Sequence, residues 1–289
     1  MALKDQPMKD SEAMCTVVVS LAPEDRVPLL MVGVRDEFTG RPWQPPARHW
    51  PDPPDPPDWS PLIGGRDEQA GGTWLAVHPD VPRVGCILNA RGEPAAPDRR
   101  RSRGELPLRA AAEGPDALRK LHDDPEALSL YDPFYLVCAD RVAVLLLGWD
   151  GRSAGLTELG PATHMITNAG HMYPPAPDNQ RQPAGEKAPV DEKAQRFGPK
   201  FAARRPSGDP AAALPDAWGD WLTLAGGDGL AVTEPGAIIV RRELPDGRVW
   251  GSTSVTLVAL ARDGRLRYDF QPEPTIPPDP ATWYSVPTA

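Results

Sequence analysis

Apolar residues in this chain come in short bursts, many of them β-branched, and the bursts pair up across turn-like spacers. Residues 16–21, TVVVSL, form one such run, closed by APEDRVP, whose prolines, aspartate and charges read as a turn. Residues 29–34, LLMVGV, answer it, so the pattern predicts an N-terminal hairpin ending in RDEF. TWLAV and RVGCILN around HPDVP predict a second hairpin, and the runs at 134–139 and 142–149 a third, with HMITN as a further short strand ending at Asn168. In the last third, AIIVRREL, RVWGSTSVTLVAL and RLRYDFQ are separated by PDG and RDG turns, which predicts a meander. Helical composition is found at 102–121, in two pieces interrupted by EGPD, with Pro115 suited to a first helical turn because it lacks the N–H that would be unpaired there.

Four segments carry no period. Residues 1–14 are a polar lead, expected to be a leader or a misplaced start. From 41 to 61 proline recurs every few residues, removing backbone donors and fixing φ, so an extended surface loop is expected, with Trp43, Trp50 and Trp59 packing back on the body or lining a pocket. Residues 174–215 are rich in proline, alanine and charge, with one helix-capable piece, VDEKAQRFGPKFAA, and are expected to be an insertion or lid. Residues 271–289 read as a proline-rich tail. No fixed-period repeat and no linker divides the rest, so the expected architecture is a single α+β domain over 15–270, with helices packed on mostly antiparallel sheets.

A chain of 289 residues can bury a full core without disulfides or metals. The net charge of −9 opposes binding to nucleic acid, and the one compact basic cluster, RRRSR at 99–103, lacks interleaved aromatics. No window is apolar enough for a membrane span, and the first residues lack the apolar centre of a signal peptide, so a cytoplasmic protein without stable membrane insertion is expected. Three cysteines, Cys15, Cys86 and Cys138, are odd in number and lie in no metal-type spacing, which fits a reducing compartment and no zinc.

Most catalytic signatures are missing: no phosphate loop, no dinucleotide fingerprint, no GxSxG and no paired-histidine metal helix. His164 and His171 flank Asn168 and are either site residues or ordinary structural histidines. Cys15 follows Met14 and opens the first strand. If the chain matures to begin at Cys15, its α-amine, with an ordinary pKa of about 7.7 to 8.0, can serve as general base for its own thiol. Otherwise Cys15 is a small apolar residue opening a strand.

MCTVVVSL, followed in order by VGVRDEF, GGTWLAV, SRGEL, YDPFYLV, THMITN and GSTSVTLVAL, resembles the NRDE family, the group that includes the transport and Golgi organisation protein 2. The similarity runs from Met14 to about Leu260. It implies an N-terminal-nucleophile hydrolase-like fold, a four-layer αββα sandwich of two mostly antiparallel sheets, and points to cysteine acylases of bile salts and penicillin V as enzymatic analogues. By that resemblance Cys15 is the nucleophile, Asp36 supported by Arg35 orients or accepts from the α-amine, and Asn89 and Asn168 serve the oxyanion hole. Glu37, Trp74, His164 and Thr253 are the further candidates for lining the pocket. The namesake Asn-Arg-Asp-Glu is here Val34-Arg35-Asp36-Glu37, and WGSTSVTL puts Ser252 and Thr253 where such acylases carry an arginine.

The function expected is therefore that of an N-terminal cysteine amidohydrolase or acyltransferase, acting on an amide or thioester through an acyl-Cys15 intermediate and needing no cofactor. The alternative is a non-catalytic carrier of haem or an acyl-lipid, with His164, His171 or Cys15 as axial ligand.

Overall fold

In the computed structural model, residues 15–51, 58–175, 191–276 and 279–288 are described. The chain starts as an antiparallel hairpin, β1 (Thr16–Leu21) and β2 (Leu29–Phe38), and then builds a run of strands: β3 (Trp43–Ala47), β4 (Ile63–Asp67), β5 (Leu75–His78) and β6 (Arg83–Asn89). A 3-10 turn (Arg103–Glu105) leads into α1 (Leu106–Glu113), α2 (Pro115–His122) and α3 (Pro125–Leu128). Five strands follow: β7 (Phe134–Asp140), β8 (Val144–Trp149), β9 (Ala154–Leu159), β10 (Thr163–Thr167) and β11 (Gly170–Tyr173). Three helices, α4 (Glu192–Ala203), α5 (Leu214–Trp218) and α6 (Asp220–Ala225), precede β12 (Arg241–Glu243), β13 (Val249–Leu260), β14 (Leu266–Pro272) and β15 (Tyr284–Ser285).

These strands form two antiparallel sheets. One runs β11-β10-β1-β2-β13-β14-β15 with β12 also on β13, the other β3-β4-β5-β6-β7-β8-β9. Because side chains alternate across a strand, each sheet has two apolar faces to cover. Val17, Val19 and Met31 of the first sheet meet Val77, Val84 and Leu146 of the second in the central core. The opposite residues of the first sheet, Val18, Val32 and Leu257, are covered by Phe197, Phe201, Trp218 and Trp221 of α4 to α6. The outer residues of the second sheet, Leu136, Cys138 and Leu147, are covered by Leu106, Leu118 and Leu128 of α1 to α3. The layers are thus helix, sheet, sheet, helix, the αββα sandwich that the resemblance implied.

The predicted hairpins appear as β1–β2, β5–β6 and β7–β8. Four expectations change. The stretch expected to be loop at 41–61 contains β3, which tolerates Pro45 and Pro46 because it is the edge strand of its sheet. Trp43 packs on the central core while Trp50 and Trp59 pack in a small cluster with Leu62 and Leu108. In the segment expected to be an insertion or lid, the helix-capable piece forms α4, part of a layer on the first sheet, and 176–190 lie outside the described residues. The expected tail includes β15, paired with β14. The AIIV run is buried without joining a ladder, since β12 begins only at Arg241.

One irregularity matters for the site. The β2–β13 register pairs Asp36 with Ser252 and Arg35 with Ser254, so Thr253 is an extra residue, a bulge.

Candidate active site

Thr16 pairs with Val34 on one side and with Thr167 on the other. The residue before it, Cys15, therefore enters the sheet between Arg35 and Asn168. Cys15 is partly buried and packs on the central core. Its Sγ accepts the Asp36 N–H at 3.3 Å and lies 3.4 Å from the Asp36 carbonyl oxygen, to which the thiol can donate. Cys15, Val17, Gly33, Trp74, Cys86 and Leu88 surround a hollow of about 20 Å³, room for one water.

Alternation along β2 sends Arg35 and Asp36 to opposite faces of the sheet. Arg35 points between the sheets: Nη1 donates to Thr253 Oγ1 at 2.8 Å, the guanidinium lies 4.5 Å above the Trp74 ring, and Nη2 faces Glu37 at 3.7 Å and Asp67 at 3.5 Å. The bulge brings Thr253 to this position, where its hydroxyl also donates to the Arg35 carbonyl at 3.3 Å. Burial lowers the Arg35 pKa, opposed by the charges of Glu37, Cys15 and Asp67.

Asp36 points toward α4. Its Oδ1 accepts from Ser252 Oγ at 2.6 Å, and its Oδ2, although buried, has no hydrogen-bond partner among the described residues. Lys193 Nζ stands 3.8 Å from Oδ2 as an ion pair and donates to Thr16 Oγ1 at 3.1 Å. Asp191 pins the start of α4 here: its Oδ1 caps the helix through the Ala194 N–H and its Oδ2 accepts from Thr167 Oγ1 at 2.6 Å. Burial raises Asp36 to about 6 despite Lys193, Ser252 and Arg35, which favour the charged form. The Cys15 thiol is pushed up to about 12, first by burial and then by the charge of Asp36. In the chain as it stands, Cys15 is therefore a thiol and not a thiolate.

Of the residues expected at the site, Cys15, Arg35, Asp36, Glu37, Trp74, Asn168 and Thr253 converge here. Asn168 is partly buried, and its Oδ1 is a buried acceptor without a partner. Asn89 does not line the hollow: it ends β6, is exposed, and by strand alternation faces away from Cys86 and Leu88. His164 pairs with Val19, four residues along β1 from Cys15, which is on the order of 13 Å. Its Nε2 lies 2.7 Å from the Gly160 carbonyl and its Nδ1 3.1 Å from His171 Nε2, so both nitrogens are engaged. The sequence reading missed Lys193. The available signal was its place four residues before Phe197 and eight before Phe201, on the apolar stripe of α4, where a charge needs a partner.

Among the described residues, no cluster of His, Cys, Asp or Glu could hold a metal ion, and no helix is long and apolar enough to cross a membrane. A larger hollow of about 760 Å³, lined by Glu24, Asp25, Arg205, Arg262 and Asp263 among others, lies at the β1–β2 turn, the other end of the hairpin from Cys15.

The fold is a four-layer αββα sandwich of two antiparallel sheets in which Cys15 enters an interior strand beside the buried Asp36. The chain belongs to the Transport and Golgi organisation 2 (TANGO2) family, whose model matches residues 14–183. Among solved structures it is similar to the Caenorhabditis elegans N-acylethanolamine-hydrolyzing acid amidase (NAAA) ortholog, with 10% identity, a TM-score of 0.39, and coverage of 94% of this chain and 100% of that one. No curated protein matches the sequence.

Proposed function

We propose that the protein cleaves or transfers an acyl group from an amide or thioester through Cys15, once the Cys15 α-amine is free. The thiol proton passes to that amine, sulfur attacks the carbonyl carbon to form a C–S bond, the C–N or thioester C–S bond breaks, and the leaving group takes the proton. Water or an amine then resolves the acyl-cysteine.

The observation that carries this reading is the buried Oδ2 of Asp36, which has Lys193 at 3.8 Å but no hydrogen bond among the described residues; the charge of Asp36 is the second-largest influence on the Cys15 thiol. A carboxylate oxygen left without a hydrogen bond in the interior is costly. An α-ammonium on Cys15 would supply both its missing donor and a positive charge opposing the rise in the thiol pKa. Arg35 and Asn168, the residues across the ladder from Cys15 on either side, are the groups this reading assigns to the oxyanion. Three cysteines outside any disulfide suit a reducing, cytoplasmic setting.

A carrier of haem or an acyl-lipid has weaker support: the hollow beside Cys15 has room for only one water, and both ring nitrogens of His164 are engaged. Intact mass of the protein from its own host is expected to include a form beginning at Cys15. A thioester probe is expected to label that form and not Cys15→Ala. Labelling that survives the substitution would remove Cys15 as nucleophile.

A further inference from the structure

Two motifs singled out by the sequence, GGTWL and SRGEL, touch in the structure. The Gly72 Cα lies so close to the Gly104 backbone that a Cβ built on Gly72 would sit 2.3 Å from the Gly104 carbonyl carbon. The Thr73 N–H donates to the Gly104 carbonyl at 2.9 Å, and Ser102 Oγ accepts from the Gly104 N–H at 3.1 Å, turning the chain at this contact. The turn carrying Arg103 is thereby docked next to Trp74, the ring beneath Arg35.

Arg103 differs from the other arginines around it. Arg99 and Arg100 pair with Glu126 and Asp132, and Arg35 and Arg41 share Glu37 and Asp67. Arg103 has no acidic partner within ion-pair distance among the described residues. Its one hydrogen bond runs from Nη1 to the Pro133 carbonyl at 2.6 Å, an oxygen that also accepts the Ala90 N–H at the end of β6. Its remaining nitrogens are not sealed from solvent. Burial lowers the pKa of the guanidinium; the charge of Asp132 opposes this most, Arg100 adds to it, and Cys15 and Glu37 are also near enough for their charges to act on it. A largely desolvated guanidinium with a free planar edge and no ion-pair partner within 4 Å among the described residues is arranged to receive an oxyanion.

We propose that Arg103 binds a carboxylate or phosphate carried by the ligand that reaches Cys15, making this site selective for anionic acyl compounds. The assignment rests on the Cys15 reading for its chemistry but not for its binding. It makes Arg103 a specificity residue, supplying a further cation beside a site where β13 contributes Ser252 and Thr253.

Two arms test it on the full chain. In the first, binding of succinate, methyl phosphate and the neutral isostere succinamide to Cys15→Ala is followed by calorimetry. Succinate or methyl phosphate is expected to bind at least about tenfold more tightly than succinamide, a charge-assisted contact being worth that much. Arg103→Gln in the same background is expected to abolish the preference, Arg103→Lys to keep part of it, and a surface control, Arg119→Gln, to leave it intact. Which anion binds better distinguishes carboxylate from phosphate recognition. Equal binding of anion and isostere, or a preference that survives Arg103→Gln in a variant with an unchanged melting temperature, would overturn the proposal. If Arg103→Gln fails to fold, loss of the preference at 0.5 M salt together with its retention in Arg103→Lys supports it, and an unchanged preference in salt counts against it. In the second arm, alkylation of Cys15 by iodoacetate and iodoacetamide is compared, and the iodoacetate-to-iodoacetamide rate ratio is expected to fall about tenfold in Arg103→Gln. A Cys15 inert to both reagents would sink the nucleophile while leaving the binding arm to decide on Arg103.

Discussion

Asp36 acts on Cys15 with opposite sign depending on whether the cysteine carries a free amine. In the uncleaved chain the carboxylate only adds negative charge beside the thiol, so Asp36→Asn should lower the thiol pKa and speed alkylation by neutral iodoacetamide at pH 8, by on the order of tenfold. In a chain that begins at Cys15, the same substitution removes the partner of the α-ammonium and should slow turnover of a thioester. A substitution that speeds or slows both forms alike would show that Asp36 does not pair with the amine. Cys15, Arg35 and Asp36 were legible because they lie in two short motifs on one predicted hairpin, where the ladder register makes sequence position into spatial position. Lys193 was not, since nothing local connects it with residue 36 and only the packing of α4 brings it within 3.8 Å. Arg103 was hidden inside the basic run 99–103, where neighbouring arginines turn outward to Glu126 and Asp132. Asn89 was placed at the site by the family resemblance, but the period of two turns its side chain away from Cys86 and Leu88.

Whole elements were legible where turn chemistry bounded an apolar run, as in the three hairpins, and were missed where composition hid the period. In α5 and α6 the fully buried Trp218 and Trp221 lie three residues apart, a helical stripe, but Gly219, with φ of 47°, breaks it between two short helices. β4 was missed because IGGRD has two glycines and a single apolar side chain. Those glycines and Gly72 are there for close approach: the Trp74 ring fills the space where a side chain on Gly65 would be, as the Gly104 backbone does at Gly72. Gly72→Ala should therefore push the Arg103 turn off β5, costing about 1–3 kcal/mol by overpacking. It should also reduce the anion preference expected of Arg103 without altering any charged group. Urea denaturation reads the first effect and calorimetry with succinate the second; a destabilised variant with its anion preference intact would separate the glycine contact from the placement of Arg103.

Across the molecule, the two buried titratable clusters of the first sheet set opposing pH dependences. Asp36, 3% exposed, is raised from its ordinary 3.8 to about 6 chiefly by burial, against the pull of Lys193, Ser252 and Arg35. Between pH 4 and 6 the unfolded chain releases this proton while the folded chain keeps it, so folding stability falls as pH rises through that window, by about 3 kcal/mol in all. His164 and His171 behave in reverse. Burial lowers both, and His164 lowers His171 further, so the unfolded chain takes up protons near pH 6.5 that the folded chain resists. Their contribution is complete above 6.5 and is lost as pH falls below it. The net charge of −9 adds a self-repulsion that also changes over this range, which makes the wild-type profile alone ambiguous. Comparing proteins of nearly equal charge removes that term. The stability of Asp36→Asn relative to wild type, from urea midpoints at intervals of pH, should shift in favour of the variant by about 3 kcal/mol between pH 4 and 7. His171→Gln should instead gain relative to wild type as pH falls below 6.5. A pH-independent difference for Asp36→Asn would mean that its carboxyl titrates as in the unfolded chain, and that the bare Oδ2 facing Lys193 already has its charge fully balanced.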